Sequence, residues 1–301
     1  MLINKDLYDK LMKKKKMLDS IRPLPKAALS ELKKQFEIEL TYNSNAIEGN
    51  ALTLRETELV LKHGITIKGK SLREHFEATN HQEAIEHVER VLKEDITEEL
   101  IKKLHEVILT KINDEEKGRY RKANVRILGA IKSPPQSEKV PRLMQNFAEY
   151  IRTNPEDLNT VEFAAMLHYK LVEIHPFIDG NGRVSRLLLN LVLMKHGYPI
   201  TIILKNDRKK YYDCLKKADL GDVKPFINFI GYCMNRSLNI YLSSFKKGME
   251  YISLAEIAKG ANYSQEYLSL LARKGKLDAI KLGRNWMTTK KSIEDYLKRL
   301  K

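Results

Sequence analysis

One run of twelve residues carries chemistry: His175-Pro-Phe-Ile-Asp179-Gly180-Asn181-Gly182-Arg183-Val-Ser-Arg186. Apolar residues at helical spacing on both sides place it in a loop that leads into a helix. Gly-Asn-Gly at a helix start leaves backbone N–H groups unpaired and lets a ligand approach closely. With the positive end of the helix dipole, that makes an anion cradle. Arg183 and Arg186 are three apart, on one face of the first turn. Cations there oppose the dipole, so their presence suggests an anion in the space between. Asp179, ahead of the cradle, is a hard carboxylate of the kind that holds Mg²⁺ together with phosphate oxygens. His175 titrates in the range needed to take a proton from an attacking hydroxyl. A polyphosphate site with a base at its mouth implies phosphoryl or nucleotidyl transfer. A lone histidine or arginine pair would read as loop decoration and surface ion pairs; the whole constellation does not.

The elements that position this run are mostly helical. Periodicity predicts helices over residues 29–47, closing at Gly49, and over 53–64, opened by a Thr53-x-x-Glu56 capping box and stopped by Gly64. Helices over 72–93 and 98–112 follow. Between Tyr120 and Pro141 the period changes: Val125 and Ile127 alternate, Ser133-Pro134-Pro135 makes a turn, and Val140-Pro141 returns. This predicts a β-hairpin. Asn159-x-x-Glu162 opens a long helix that ends at His175, because Pro176 disfavours helical geometry in the residue before it. Helices over 184–196, 209–217 and 224–244 complete a mainly α bundle. After Lys247-Gly248 the pattern differs. Ser253 and Ser264 cap two short helices, apolar stretches around Ile280 and Trp286 meet at Gly283-Arg284, and a last helix runs through Leu297. The expected organisation is a helical region over 1–110, a core over 111–247 and a small domain over 248–301.

Composition bounds the class. At 301 residues the chain can bury a sizeable core, and its mixed charges suit a soluble folded protein. No run approaches eighteen apolar residues and the N-terminus lacks a signal-peptide core, so no membrane association is expected. The two cysteines, Cys214 and Cys233, lie in helical patterns, which points to a reducing cytoplasmic setting. The net charge is +15, and residues 249–301 hold eleven Lys or Arg against six Asp or Glu, which permits nucleic-acid or acidic partners. The Lys13–Lys16 run reads as a solvated helix face. Gly64 to Ser71 matches a Walker A pattern, but it follows a helix instead of a buried strand and carries β-branched Ile65, Thr66 and Ile67 where amides must curl around phosphate.

The twelve-residue run matches every specified position of the Fic family signature, His-x-Phe-x-(Asp/Glu)-Gly-Asn-Gly-Arg-x-x-Arg, and the resemblance extends over roughly Leu29 to Ser244. It includes Gly118-Arg-Tyr-Arg121, the hairpin, and Asp207-Arg-x-x-Tyr211-Tyr212. The resemblance implies a Fic helical bundle that transfers AMP from Mg-ATP to a Ser, Thr or Tyr hydroxyl of another protein. His175 would deprotonate that hydroxyl, Asp179 would hold Mg²⁺, Gly180, Asn181 and Gly182 would cradle phosphate, and Arg183 and Arg186 would bind the β and γ groups. Tyr211 and Tyr212 align with nucleoside-pocket tyrosines, Leu128 and Gly129 of the hairpin also fall to ATP, and Asp219 stands where close relatives carry a nucleotide-contacting asparagine. A subgroup that transfers phosphate has Lys at the position of Gly182, so AMP transfer is favoured. Ser44-Asn-Ala-Ile-Glu48-Gly49 resembles the family's inhibitory signature, in which the glutamate pairs with the second arginine, here Arg186, through a bidentate bond. The same glutamate could position a water that removes AMP. The hairpin over 124–139 resembles the Fic flap, whose edge would pair with a target segment.

The tail from Tyr251 to Leu300 is similar to excisionase-type or MerR-type winged helix-turn-helix domains. In that likeness the Ser264 helix enters a DNA groove with Lys274 and Arg284 near phosphate. Small winged domains also dock proteins. Two function classes follow: a self-inhibited protein AMP-transferase, or a DNA-binding transcriptional regulator whose Fic body senses nucleotide. The intact His175 favours the enzyme. A homo-oligomer is compatible with either.

Overall fold

The computed structural model describes residues 1–127, 131–245, 251–260, 263–274, 276–282 and 285–298. Its helices are α1 (Lys5–Asp19), α2 (Lys26–Ile47), α3 (Leu54–His63), α4 (Leu72–Arg90), α5 (Glu98–Leu109), α6 (Val140–Thr153), α7 (Thr160–Ile174), α8 (Asn181–Lys195), α9 (Arg208–Asp219) and α10 (Lys224–Phe245). The tail follows as β1 (Ile252–Ser253), α11 (Leu254–Lys259), α12 (Gln265–Arg273), β2 (Ala279–Leu282), β3 (Asn285–Thr288) and α13 (Lys290–Lys298). The fold is mainly α, as expected. Among the described residues the one sheet is the antiparallel β1-β3-β2 of the tail. No helix there is long and apolar enough to cross a membrane.

The site sits between α7 and α8, which are buried along most of their length. α7 opens on the expected capping box: the Asn159 side chain accepts from Val161 and Glu162, and Glu162 returns to the Asn159 amide. The Glu162 carboxylate also accepts from the amides of Leu2 and Ile3, which fixes the start of the chain against α7. α8 begins at Asn181, three residues before the expected start, so the Asn181 and Gly182 amides belong to the helix's own first turn and Gly180 is its N-cap. Buried Asn190 donates to the carbonyls of Arg186 and Thr201 and accepts from the Thr201 amide, tying α8 to the chain that follows it.

Two expectations differ from the structure. The segment expected as a hairpin contains no strand among residues 120–127 and 131–139, and Val140-Pro141 opens α6 instead of a returning strand. Pro134 and Pro135 have no N–H to offer a ladder, while proline is well placed in a first helical turn. The loop is closed by side chains: Arg121 donates to the carbonyls of Ala123 (3.0 Å) and Pro135, and Asn124 Oδ1 accepts from the Ser137 amide at 2.8 Å. α1 is a full helix packed on α10, where Gly231 admits Leu7 and Ile3 so closely that a Cβ would lie 2.9 Å from Leu7. Its Lys14 is buried, contrary to the solvated face expected for Lys13–Lys16. The Walker-like segment joins two helices, with Gly64 as the left-handed cap of α3 and Ser71 as the N-cap of α4.

The tail has its own small core of Leu254, Leu268, Leu271, Leu277 and Tyr296, and it is tied to the bundle by charge. Lys14 Nζ lies 2.5 Å from Asp278 Oδ2 and donates to Asn235 Oδ1 at 2.7 Å, while Asn235 and Asn239 of α10 donate to Asp278 Oδ1. Burial pulls the Lys14 ammonium down to about 8. Burial would raise Asp278, but Lys14 and Asn239 outweigh it and hold the carboxyl at about 2, so the pair is ionised at neutral pH. Removing one member leaves the other buried and uncompensated. Asp278→Ala is therefore expected to lower the unfolding free energy by about 3–5 kcal/mol in urea denaturation at pH 7, whereas Glu149→Ala, which breaks an exposed pair with Arg152 on α6, should change it by less than about 1 kcal/mol.

Candidate active site

The loop from α7 to α8 is shaped by contacts with its own backbone. His175 caps α7 in the left-handed region, at φ 51°, and its Nδ1 lies 3.3 Å from the Val172 carbonyl. A carbonyl only accepts, so Nδ1 carries the proton and Nε2 keeps its lone pair. Burial, with Arg121 nearby, lowers the His175 pKa below the usual 6.5, so the imidazole is neutral at physiological pH. Arg121, almost fully buried, donates from Nε to the His175 carbonyl at 2.8 Å and from its amide to Pro176 at 2.9 Å. Asn181 spends its whole side chain on Phe177, donating to the carbonyl at 2.8 Å and accepting from the amide at 3.0 Å. Only its backbone N–H is free for an anion.

His105 of α5 supports the loop from below. Its Nδ1 accepts from the Gly118 amide at 3.0 Å, which obliges Nε2 to donate to the Asp179 carbonyl, also at 3.0 Å. The ring stacks on Phe177 with centroids 3.7 Å apart, and burial pulls its pKa down to about 4. Gly180 follows at φ +78°, with the His105 ring 3.5 Å from where a Cβ would be. Sequence reasoning did not single out His105; nothing in its spacing relates it to Asp179.

Above the first turn of α8, Arg186 is 2 % exposed. Its Nε donates to Ser44 Oγ at 2.9 Å, and its Nη2 donates to the Ser44 carbonyl at 2.9 Å and to Glu48 Oε1 at 2.8 Å. The expected bidentate pair is thus a single bond to one carboxylate oxygen, with Ser44 supplying the rest. Arg186 Nη1 and Arg183 Nε are buried without a partner among the described residues. A Cβ on Gly182 would lie 2.2 Å from Glu48 Oε1 and 3.0 Å from Arg186 Nη1, so the carboxylate rests in the cradle itself. Gly49, at φ +108°, turns the chain away directly after it.

Beside the cradle lies a charge cluster that was only half anticipated. Asp179 Oδ1 accepts from the Gly180 amide at 2.6 Å and from Arg183 Nη2 at 3.3 Å, and Oδ2 accepts from Arg73 Nη2 at 2.7 Å. Burial would raise its pKa, but Arg183, the Gly180 amide and Arg73 hold it below the ordinary carboxylate range. Arg183 also faces Glu77 at 3.5 Å, and Asn50 donates to the second Glu77 oxygen at 2.9 Å. Arg73 and Glu77 stand four apart on α4, an ordinary surface pair in the sequence, and only the fold brings them to Asp179. Among the described residues no group of three or more His, Cys, Asp or Glu is arranged to hold a metal ion by itself. One carboxylate beside a phosphate cradle is nevertheless the donor set that suits Mg²⁺ arriving on a polyphosphate, which needs few protein ligands.

A cavity of about 1000 Å³ is lined by Val172, Glu173 and Ile174 at the end of α7, by Pro134 and Pro135, and by Tyr212, Arg208 and Asp219. Tyr212 and Asp219, two of the residues expected at the nucleotide, both line it. Tyr211 is not a wall: it is 1 % exposed, behind Arg186, with its hydroxyl 3.2 Å from His168 Nε2. Its neighbour took the pocket position because adjacent helical residues face different sides. Arg208 covers the Tyr212 ring at 4.8 Å and donates to the Ile47 carbonyl at 2.7 Å, joining the pocket to the end of α2. Leu128, Gly129 and Arg284 lie outside the described residues. Lys274 is exposed after α12, in the tail and apart from this site.

The profile of the Fic/DOC family matches residues 95–193, which include the whole His175–Arg186 run. The chain is similar to a protein adenylyltransferase Fic of Nematostella vectensis, 38 % identical over 246 residues, or 80 % of this chain and 57 % of that protein. It thus spans little more than half the length of that relative. A solved Fic-domain signaling protein from Bacteroides thetaiotaomicron is 32 % identical with a TM-score of 0.71, covering 80 % of this chain and 95 % of that one. A solved Fic family protein from Desulfovibrio desulfuricans shares the fold over 95 % of this chain and 96 % of its own, at 21 % identity and a TM-score of 0.68. With its signature run assembled at one site and a solved relative matched over nearly its whole length, this chain belongs to the Fic/DOC family.

Proposed function

We propose that this chain transfers AMP from Mg-ATP to a hydroxyl side chain of a protein, and that Glu48 restrains it. The observation that carries the reading is the carboxylate in the cradle. A buried guanidinium and the first amides of α8 form an anion site, and a side chain of this chain already fills it. In the proposed reaction the target hydroxyl oxygen attacks the α-phosphorus, the bond from that phosphorus to the bridging oxygen breaks, and pyrophosphate leaves. His175 Nε2 takes the hydroxyl proton. Arg186, freed from Glu48, meets the γ-phosphate, Arg183 and the Asn181, Gly182 and Arg183 amides hold the neighbouring groups, and Tyr212 and Asp219 border the nucleoside. Asp179 would hold Mg²⁺, which supplies charge neutralisation on the phosphates. The segment over 124–139, of which residues 132–135 line the cavity, is the proposed docking edge for the target. The similarity to proteins named protein adenylyltransferase Fic supports the chemistry.

The tail over 248–301 is proposed as a separately cored winged module on a body of 1–110 and 111–247. The rival reading, a DNA-binding regulator, rests on the tail's likeness to winged helix-turn-helix domains and its positive charge, with Lys274 and Arg284 placed near phosphate. It leaves unexplained why a base, a cradle and an occupying carboxylate are kept together.

Three outcomes test the reading. With α-labelled ATP, Glu48→Gly protein should label itself or a lysate protein at least about tenfold faster than wild type, the scale set by releasing a charge-assisted bond. Arg186→Ala should not activate, although it breaks the same bond, because it also removes a phosphate ligand; the double variant should behave like Arg186→Ala. Equal rates for wild type and Glu48→Gly across ATP concentrations would refute the brake, and label retained from γ-labelled but not α-labelled ATP would replace AMP transfer with phosphate transfer. His175→Ala should abolish labelling while ATP binding, measured by calorimetry, persists. A base with a lowered pKa keeps its reactive neutral form to lower pH, so the Glu48→Gly rate should be flat from pH 8 to about 6.5 and fall only below it; a fall beginning above pH 7 would contradict a neutral His175.

A further inference from the structure

Each charge the site would use on a nucleotide is paired with a charge of opposite sign from the chain itself. Glu48 covers Arg186, and the reverse pairing lies at Asp179, where Arg73 Nη2 donates to Oδ2 at 2.7 Å. Arg73 comes from the first turn of α4, held in place by the Ser71–Glu74 capping box. A cation there is opposed by the helix dipole, so Arg73 owes its position to its carboxylate partners. It has two: Asp179, and Glu77 one turn along, which accepts from Nε at 3.2 Å. The two bonds to Asp179 Oδ1 come from the Gly180 amide and the nearly buried Arg183. The bond to Oδ2 comes from a side chain that is 57 % exposed and can leave without disturbing the loop.

We propose that Arg73 is a cation latch on Asp179: its guanidinium occupies the carboxylate oxygen that a divalent cation would take, and retires to Glu77 when the metal arrives with the nucleotide. The proposal rests on the reading of Asp179 as the metal carboxylate. A guanidinium and a divalent cation cannot share one oxygen at close range, so the two compete. Arg73 then sets how much Mg²⁺ contributes to nucleotide binding and takes no part in the proton transfer. Asn50, three residues from the end of α2, holds Glu77 and thus the resting place of the latch.

Calorimetry with α,β-methylene-ATP, which cannot be cleaved at the α-phosphate, gives nucleotide affinity in EDTA and in Mg²⁺; the ratio is the contribution of the metal. Arg73→Gln should enlarge that ratio about fivefold, the upper range for an exposed pair, and should leave the EDTA affinity within about twofold of wild type. An unchanged or smaller ratio overturns the latch. A fall in the EDTA affinity would assign Arg73 to the phosphates and overturn it as well. Asp179→Asn separates the two layers. If it leaves the ratio as in wild type, the metal role of Asp179 fails and the latch with it. If it lowers the ratio while Arg73→Gln does nothing, the latch alone fails.

Discussion

Arg186 cannot stay charged where it is without an anion. It is buried at the positive end of α8, one turn from the nearly buried Arg183, and both the dipole and the second cation oppose it. Glu48 has the opposite problem, because it caps the C-terminal end of α2, where a carboxylate faces the negative end of a dipole. Each is misplaced on its own helix and satisfied by the other. The contact therefore fixes how the end of α2 meets the start of α8, and Ser44 helps by accepting from Arg186 one turn earlier. A phosphate can replace the carboxylate without leaving the guanidinium unpaired, which is why the position suits an exchangeable anion better than a permanent salt bridge.

The layer beneath the cradle is built from neutral polar groups. Burial, together with the neighbouring arginines, pulls His81 and His168 down to about 3. His81 Nδ1 lies 3.2 Å from Thr41 Oγ1, and His168 meets the Tyr211 hydroxyl. Charging either imidazole would place a third cation beside Arg186, so their neutrality is imposed by the same constraint as the Glu48 contact. Tyr211 belongs to this supporting layer, whereas Tyr212 lines the cavity.

The sequence was most legible where a local rule acts on adjacent residues. The caps at Thr53, Asn159, Ser253 and Ser264 lie where side-chain oxygens predicted them, and His175 ends α7 beside Pro176. The Ser44–Glu48 spacing predicted that both residues would meet one partner, and they do. Legibility failed where long-range contacts override local pattern. The alternation of Val125 and Ile127 suggested a strand, but Arg121 closes that loop through carbonyls ten or more residues apart in effect. Lys14 looked solvated because Asp278, its partner, stands more than 260 positions away. His105 and Arg73 left no signal, since their partners are backbone or side chains on other elements.

If Glu48 is the proposed brake, the charge balance of the site makes its release an exchange. Arg73, Arg183 and Arg186 face Glu48, Glu77 and Asp179, so the resting cluster is neutral. A nucleotide triphosphate with one Mg²⁺ still brings net negative charge. Added to the neutral cluster it would place phosphate oxygens against the Glu48 carboxylate, a like-charge contact in a partly buried site. If Glu48 swings out, one positive charge is uncovered and the same ligand meets an attractive site. Glu48 is about one-third exposed at a helix end followed by glycine, so of the two members of its pair with Arg186 it can move at lower cost. Arg186, held by Ser44 and buried, cannot. Under the proposed brake, the asymmetry in burial within a single ion pair makes Glu48 the partner that would yield to the ligand and Arg186 the one that would remain to bind it.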